Sequence, residues 1–205
     1  MTQTFTETHT HRCRVIVRPI CDQDAAALAG AYTRLSEQSR WRRFLSVADE
    51  LTQPELRRLT AVDYRDHDAL VAVDPGSGEI VGSARYARIG GTPHTAELAV
   101  EVIDEWQRRG VGSALLDALT ARARANDVQR FIAIVSSDNV PVRRALERAG
   151  ATLCASGSEI EYQLDVDALE RHISPPLNTN HSEDTNDRHQ GSICGRQSIH
   201  GGRRR

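Results

Sequence analysis

The sequence of 205 residues predicts an α/β fold, a mixed and mostly antiparallel central sheet flanked by helices. Two patterns carry that expectation. Ala69 to Val73 and Ile80 to Ile89 are β-rich runs separated by Asp74-Pro75-Gly76-Ser77-Gly78, the turn chemistry that joins antiparallel neighbours. Farther on, the strand Thr95 to Val102 runs toward a glycine-containing segment and then Val111 to Asn126, where apolar residues at 111, 115, 116 and 119 mark an amphipathic helix packed on a sheet.

The remaining elements fall in order around these. Val15-Ile16-Val17 before Arg18-Pro19 predicts a short first strand, and Asp22-Gln23-Asp24 offers a cap for a helix from Ala25 to Tyr32. Ser39 to Leu45 sets Trp41, Phe44 and Leu45 at helical spacing; the two aromatics either pack in the core or line an acceptor groove. Thr52-Gln53-Pro54-Glu55 is a helix start, with a Thr cap and Pro and Glu in the first turn, and this helix should end near Thr60. After the loop at Gly90-Gly91-Thr92-Pro93, Thr95 to Val102 is expected inside the sheet. Phe131 to Val135 is a continuous apolar strand, Pro141 to Ala149 a helix stopped by Gly150, and Ala151 to Cys154 and Glu159 to Leu164 are closing strands.

Composition bounds the function. Hydrophobic residues make up 39% of the chain and are scarce at both ends, which predicts one domain over 14–173 between disordered tails at 1–13 and 174–205. A net charge of −2 leaves no electrostatic footprint for nucleic acid or a membrane surface, and Arg203-Arg204-Arg205 read as solvated. Cys13, Cys21, Cys154 and Cys194 are scattered without metal-ligand spacing, so no metal is expected and the thiols are read as free in a reducing compartment. Met1 to His11 lacks an apolar run and no segment is long enough to span a bilayer, which makes the cytoplasm the expected location.

Gln107-Arg108-Arg109-Gly110-Val111-Gly112, set between a strand and a long helix, places several main-chain N–H groups where orphan donors and the helix dipole favour an anion such as a pyrophosphate. A P-loop would need G-x-x-x-x-G-K-[ST], which is absent. A dinucleotide fingerprint would need a small residue where Leu115 stands. Arg108 and Arg109 flank the turn and either neutralise phosphate or are simply exposed.

Gln107-x-x-Gly110-x-Gly112 resembles the Q/R-x-x-G-x-G/A signature of GNAT acyltransferases, and the resemblance covers roughly Val15 to Leu164. It implies a GNAT fold whose sheet bulges and splays between two strands, and acyl-CoA as co-substrate. It further implies a pyrophosphate held by Gln107, Arg108, Arg109, Gly110, Val111, Gly112 and Ser113. Main-chain groups of Val100 and Val102 would pair with the pantetheine amides, and Asn139 would meet the pantetheine arm or the neighbouring phosphate. Ser39-Arg40-Trp41-x-x-Phe44, Leu59-Thr60-x-x-Asp63-Tyr64 and Ala96-Glu97-Leu98-Ala99-Val100 are similar to the bacterial protein-lysine acetyltransferases of the Pat type. That similarity implies acetyl transfer to a primary amine, such as a protein lysine of an acyl-CoA synthetase. A small-molecule amine acceptor and a non-catalytic acyl-CoA sensor stand as alternatives, and the enzyme would be a monomer or homodimer.

An alkylammonium has a pKa of about 10.4, so freeing its lone pair at neutral pH costs roughly 4 to 5 kcal/mol and calls for a general base. Glu97 matches the glutamate to which the Pat-type relatives assign this role, and a partly buried setting would raise its pKa. Glu101 is the alternative, because period two puts 97, 99 and 101 on one face unless a bulge intervenes. Leu146 occupies the place where many GNAT enzymes carry a tyrosine acid, which leaves Tyr64, Tyr86 and Tyr162 unplaced. His67 and His94 are read as solvated, and Arg143 and Arg144 as salt-bridged on a helix face.

Overall fold

The computed structural model describes residues 6–9, 13–44, 48 and 50–173. Leu45, Cys194 and most of the expected tails lie outside the described residues. The strands are β1 (Thr6–His9), β2 (Arg14–Pro19), β3 (His67–Val73), β4 (Ile80–Arg88), β5 (Thr95–Val102), β6 (Arg130–Ser136), β7 (Thr152–Ala155) and β8 (Glu159–Asp165). The helices are α1 (Ala25–Thr33), α2 (Glu37–Phe44), α3 (Gln53–Thr60), α4 (Val111–Ala125), α5 (Val140–Arg148) and α6 (Val166–Ile173). All eight strands form one sheet in the order β1-β2-β3-β4-β5-β6-β8-β7. Every pair is antiparallel except β5 with β6.

Local chemistry accounts for most boundaries. The β3–β4 hairpin turns where Asp74 accepts from the N–H groups of Gly76 and Ser77, and Gly78 takes the left-handed φ of 75° that closes it. α3 opens with a reciprocal cap, Glu55 N–H to Thr52 Oγ1 and Thr52 N–H to Glu55 Oε2 at 2.8 Å. Asp24 differs from expectation. Its carboxylate makes no cap bond to α1; it accepts two 2.7 Å bonds from the Arg18 guanidinium and is buried at the end of β2. Thr6–His9 pairs with β2 as an edge strand where a tail is expected, and α6 was not expected at all.

The two sheet faces are covered differently. Asp68, Gly82, Ala84, Tyr86, Leu98, Val102, Phe131, Ala133 and Tyr162 lie on the face that receives α4, α5 and α6. The contact is closest at Gly82, where an added Cβ would sit 2.9 Å from the Glu101 carbonyl oxygen and 3.2 Å from Leu115 Cδ1. A missing side chain on β4 thus sets how near α4 lies to the sheet. On the other face α1 packs over β4, and Arg85 reaches the Leu59 carbonyl at the end of α3.

At its C-terminal end α4 is anchored by charge. Asp68 is fully buried and receives Arg122 Nε and Nη2 at 2.7 and 3.2 Å. Burial pushes its carboxyl above the ordinary range despite that guanidinium. Beside it, Asn126 Nδ2 donates to the Tyr64 carbonyl and the Tyr86 hydroxyl. Replacing Arg122 with Met leaves a buried carboxyl without its partner, and we expect a loss of about 3 kcal/mol. Urea unfolding checks this, and the double variant Arg122→Met with Asp68→Asn should recover part of it.

Candidate active site

The parallel ladder between β5 and β6 is short. Thr95, Ala96 and Glu97 pair with Arg130, Phe131 and Ile132, and the pairing then ends although both strands continue. Past Glu97, β5 stays in register with β4 as far as Gly82–Val102, while β6 stays in register with β8 as far as Ser136–Glu159. The two halves of the sheet therefore separate into a seam, as the resemblance implies. The expected bulge is absent from the β4–β5 pairing, whose register is unbroken, so Glu97, Ala99 and Glu101 share one face. Ile103 N–H reaches back to the Val81 carbonyl on β4, which by alternation turns the main-chain groups of Val100 and Val102 toward the seam.

Beyond the end of β5 the chain makes a tight turn into α4. Arg108 has φ 57°, and Gly110, the N-cap, has φ 90° and ψ 0°, a left-handed conformation that favours glycine. Because the Gly110 carbonyl accepts the Ala114 N–H, the N–H groups of Val111, Gly112 and Ser113 have no acceptor within the helix. Gly112 stands apart from Gly110 and Gly82: an added Cβ would meet only Val102 Cγ2, at an ordinary 3.7 Å. The chain itself makes no demand for glycine there, so the space suits a ligand close to the backbone. Arg109 lies 5.3 Å over the Trp106 ring, and its carbonyl accepts from the Cys13 thiol at 3.5 Å. Gln107 Nε2 donates to the Val102 carbonyl at 3.0 Å, so this side chain braces the turn against the strand before it.

α2 lies across the seam and touches both β5 and β6. On the β5 side, Asp104 accepts from Ser36 N–H at 2.8 Å, Ser36 Oγ at 3.1 Å and Ser39 Oγ at 2.8 Å. On the β6 side, Arg42 Nε and Nη2 reach Asp138 Oδ2 at 3.2 and 3.0 Å, and Ser136 Oγ donates to the same carboxylate at 2.6 Å. No sequence pattern marks the pairing of Asp104 with Ser36 and Ser39 or of Arg42 with Asp138. Trp41, on this helix, is 45% exposed and does not pack in the core; the Phe44 side chain is outside the description.

The other named residues separate clearly. Asn139 begins α5 at the end of β6, its N–H donating to the Ser136 carbonyl, and its side chain makes no capping bond. Glu97 is exposed, and among the described residues no element lies over it. Glu101 is half-buried, accepts from Ser83 Oγ at 2.6 Å, and lines a small cavity with Leu28, Tyr32 and Ile103 under α1. Tyr64 and Tyr86 donate to the Ile20 and Arg65 carbonyls, and Tyr162 donates to Glu147, so all three hydroxyls hold structure. Leu146 is buried. His67 and His94 are exposed; His94 sits before β5, at the opposite end from Gln107, within 3.1 Å of Asp127. Arg143 reaches the Ser137 carbonyl and Tyr162, not a helix-face carboxylate. Among the described residues Cys13, Cys21 and Cys154 form no disulfide. Among the described residues no helix is long and apolar enough to cross a membrane.

A splayed sheet with a glycine turn at the start of its central helix is what the resemblance to GNAT acyltransferases implies, and comparison with known proteins agrees. The chain belongs to the GNAT acetyltransferase family, matching it over residues 35–151. It is 36% identical to the acetyltransferase Pat of Mycolicibacterium smegmatis over 135 residues, which is 66% of this chain and 40% of that protein. It resembles the GNAT domain of S. lividans PAT with a TM-score of 0.73 at 32% identity, covering 78% of this chain and 96% of that one. A cAMP-binding acyltransferase from Mycobacterium smegmatis matches at 26% identity and a TM-score of 0.57, over 84% of this chain and 56% of that one. The chain therefore spans about half or less of these full-length relatives. Acetyltransferases of this family take acetyl-CoA as co-substrate.

The carboxylates that hold α2 have a defined pH response. Burial pushes the Asp104 carboxyl up, but hydrogen bonds from Ser36 and Ser39 outweigh it and hold it below the ordinary range. The Ser136 hydroxyl and then the Arg42 guanidinium do the same for Asp138. Both folded pKa values lie below the unfolded value of about 3.9, so their stabilising contribution is present above that pH and lost as pH falls through the folded values. In a Trp106→Phe background, Trp41 fluorescence should stay level from pH 8 to 5 and change only below about pH 4. A transition near neutrality would mean that other groups hold α2.

Proposed function

We propose that the chain transfers an acetyl group from acetyl-CoA to the ε-amine of a protein lysine, such as one on an acyl-CoA synthetase, in the cytoplasm, with Glu97 as general base. What carries the reading is the position of Glu97: it is the last paired residue at the mouth of the seam, exposed, on the strand whose Val100 and Val102 main-chain groups turn into that seam. Glu101, the alternative, is already bonded to Ser83 beneath α1.

Acetyl-CoA supplies the acyl group and a thiolate leaving group. This chain's own residues bind and orient. The N–H groups of Val111, Gly112 and Ser113, with the dipole of α4 behind them, hold the diphosphate, while Arg108 and Arg109 add positive charge around it. Gln107 contributes by bracing the turn on Val102, and sharing that carbonyl with a pantetheine amide is compatible with its two lone pairs. Asn139 offers its side-chain amide from across the seam. Glu97 accepts the proton of the incoming ammonium directly or through water. Burial for this carboxylate comes from the bound substrates, since no described element covers it. No tyrosine is placed to protonate the thiolate, and a thiol of pKa about 8.5 departs near neutral pH without one. The domain that performs this spans residues 14–173.

Calorimetry and a thiol-release assay test the proposal on the full chain. Glu97→Gln should lower kcat by about 10² to 10⁴ and leave acetyl-CoA affinity unchanged. Gly110→Val, forced into a left-handed φ, should weaken acetyl-CoA binding by about tenfold or more. Unchanged turnover in Glu97→Gln would remove the base. No heat with acetyl-CoA at millimolar concentration would remove the whole reading.

A further inference from the structure

Glu97 stands at the edge of a sheet surface left open. On β6, Phe131, Ala133 and Val135 are buried beneath the helices of one face, while Ile132 is half-buried and Ile134 is 43% exposed on the other. The strand pairings put Glu97 beside Ile132, Ile132 beside Gln163, Ile134 beside Glu161 and Ser136 beside Glu159, all on that second face. An apolar pair is therefore flanked by the proposed base on one side and by two carboxylates on the other. Arg130, on the same face, lies at the opposite end of β6 from Glu159 and Glu161, and Arg85, on β4 beside Ala99, donates to the Leu59 carbonyl.

Resting on the proposed lysine acetyl transfer, we propose that this face docks an extended acceptor segment with a specific spacing. The target lysine enters at Glu97, an apolar side chain two residues away rests between Ile132 and Ile134, and a cation four residues away faces Glu161 and Glu159. Strands about 4.8 Å apart and a rise of about 3.3 Å per residue put Glu161 about 12 Å diagonally from Glu97, with Ile132 and Ile134 astride the midpoint. An extended chain covers that distance in about four residues and turns every second side chain to the same surface. Charge complementarity selects a cationic segment. A second copy of this chain does not supply the acceptor, since all 26 basic residues are arginine and none of the 205 is a lysine.

Capped peptides Gly-Lys-Gly-Leu-Gly-Arg-Gly and the reversed Gly-Arg-Gly-Leu-Gly-Lys-Gly test this with the full chain and acetyl-CoA, against versions with Ser for Leu or Glu for Arg. In one of the two directions, kcat/KM should fall by about tenfold for each replacement. Ile134→Ser should erase the leucine preference, and Glu161→Arg should reverse the arginine-over-glutamate preference, a swap that a purely structural role does not produce. Acetylation of all peptides at equal rates, or a preference untouched by both variants, overturns the dock while leaving lysine acetylation standing. Turnover of no peptide at all, with acetyl-CoA bound, removes the lysine reading and the dock together. A dimer in sedimentation that Ile134→Ser dissociates assigns this face to a second copy and overturns the proposal.

Discussion

The structure depends on where one ladder of hydrogen bonds stops. β5 is held by β4 along its whole length and β6 by β8 along its whole length, so neither strand can bend toward the other after Glu97. A sheet with independent ladders on both sides of a seam opens there and nowhere else. What opens is backbone, and exposed backbone polar groups within a fold call for partners. The Val102 carbonyl finds one in the Gln107 side chain, and α2 bridges the gap with a carboxylate on each bank. The same divergence directs the end of β5 to the N-terminus of α4, where a further set of N–H groups lacks carbonyls.

Three glycines near this region answer to different constraints. Gly82 is required by packing, because Leu115 and the Glu101 carbonyl occupy the space of its Cβ. Gly110 is required by its dihedral angles. Gly112 satisfies neither condition, and a side chain there would meet only ordinary contact. A spacing of two glycines in sequence thus divides into one that shapes the turn and one that keeps its surface clear. That division leaves open space against the backbone at Gly112, which a helix terminus alone does not guarantee.

Most of the fold was legible because its signals are local. The Asp74–Gly78 turn, the Thr52–Glu55 cap and the apolar stripe of α4 act within a few residues, and each element appears where those residues place it. Asp24 was misread for the same reason: its acidic position before a helix suggests a cap, but its partner is Arg18 on the preceding strand. Of the candidate site, the glycine turn was visible as a spacing, whereas the hold on α2 was not. Asp104 meets Ser36 and Ser39, and Arg42 meets Asp138, across 65 to 96 residues of chain, and no periodicity marks such pairs. The exposure of Glu97 was not legible, because alternation tells which face a strand residue occupies, not whether a helix covers that part of the face.

That distinction separates the two glutamates. Glu97 and Glu101 point the same way from one strand, yet α1 crosses the sheet near Ser83 and encloses only the second. A carboxylate beneath a helix with a hydroxyl donor in place is well suited to holding that helix and poorly suited to meeting a protein side chain. One at the open edge has the converse properties: it costs little to leave ionised in water, and it changes environment only when another molecule covers it. With Glu97 as the proposed base, a place outside the core would make its surroundings depend on the fit of the acceptor. In the proposed dock a segment seated on Ile132 and Ile134 would exclude water from that carboxylate, and one that does not seat there would leave it in solvent. On that proposal, selectivity and proton transfer would rest on the same contact.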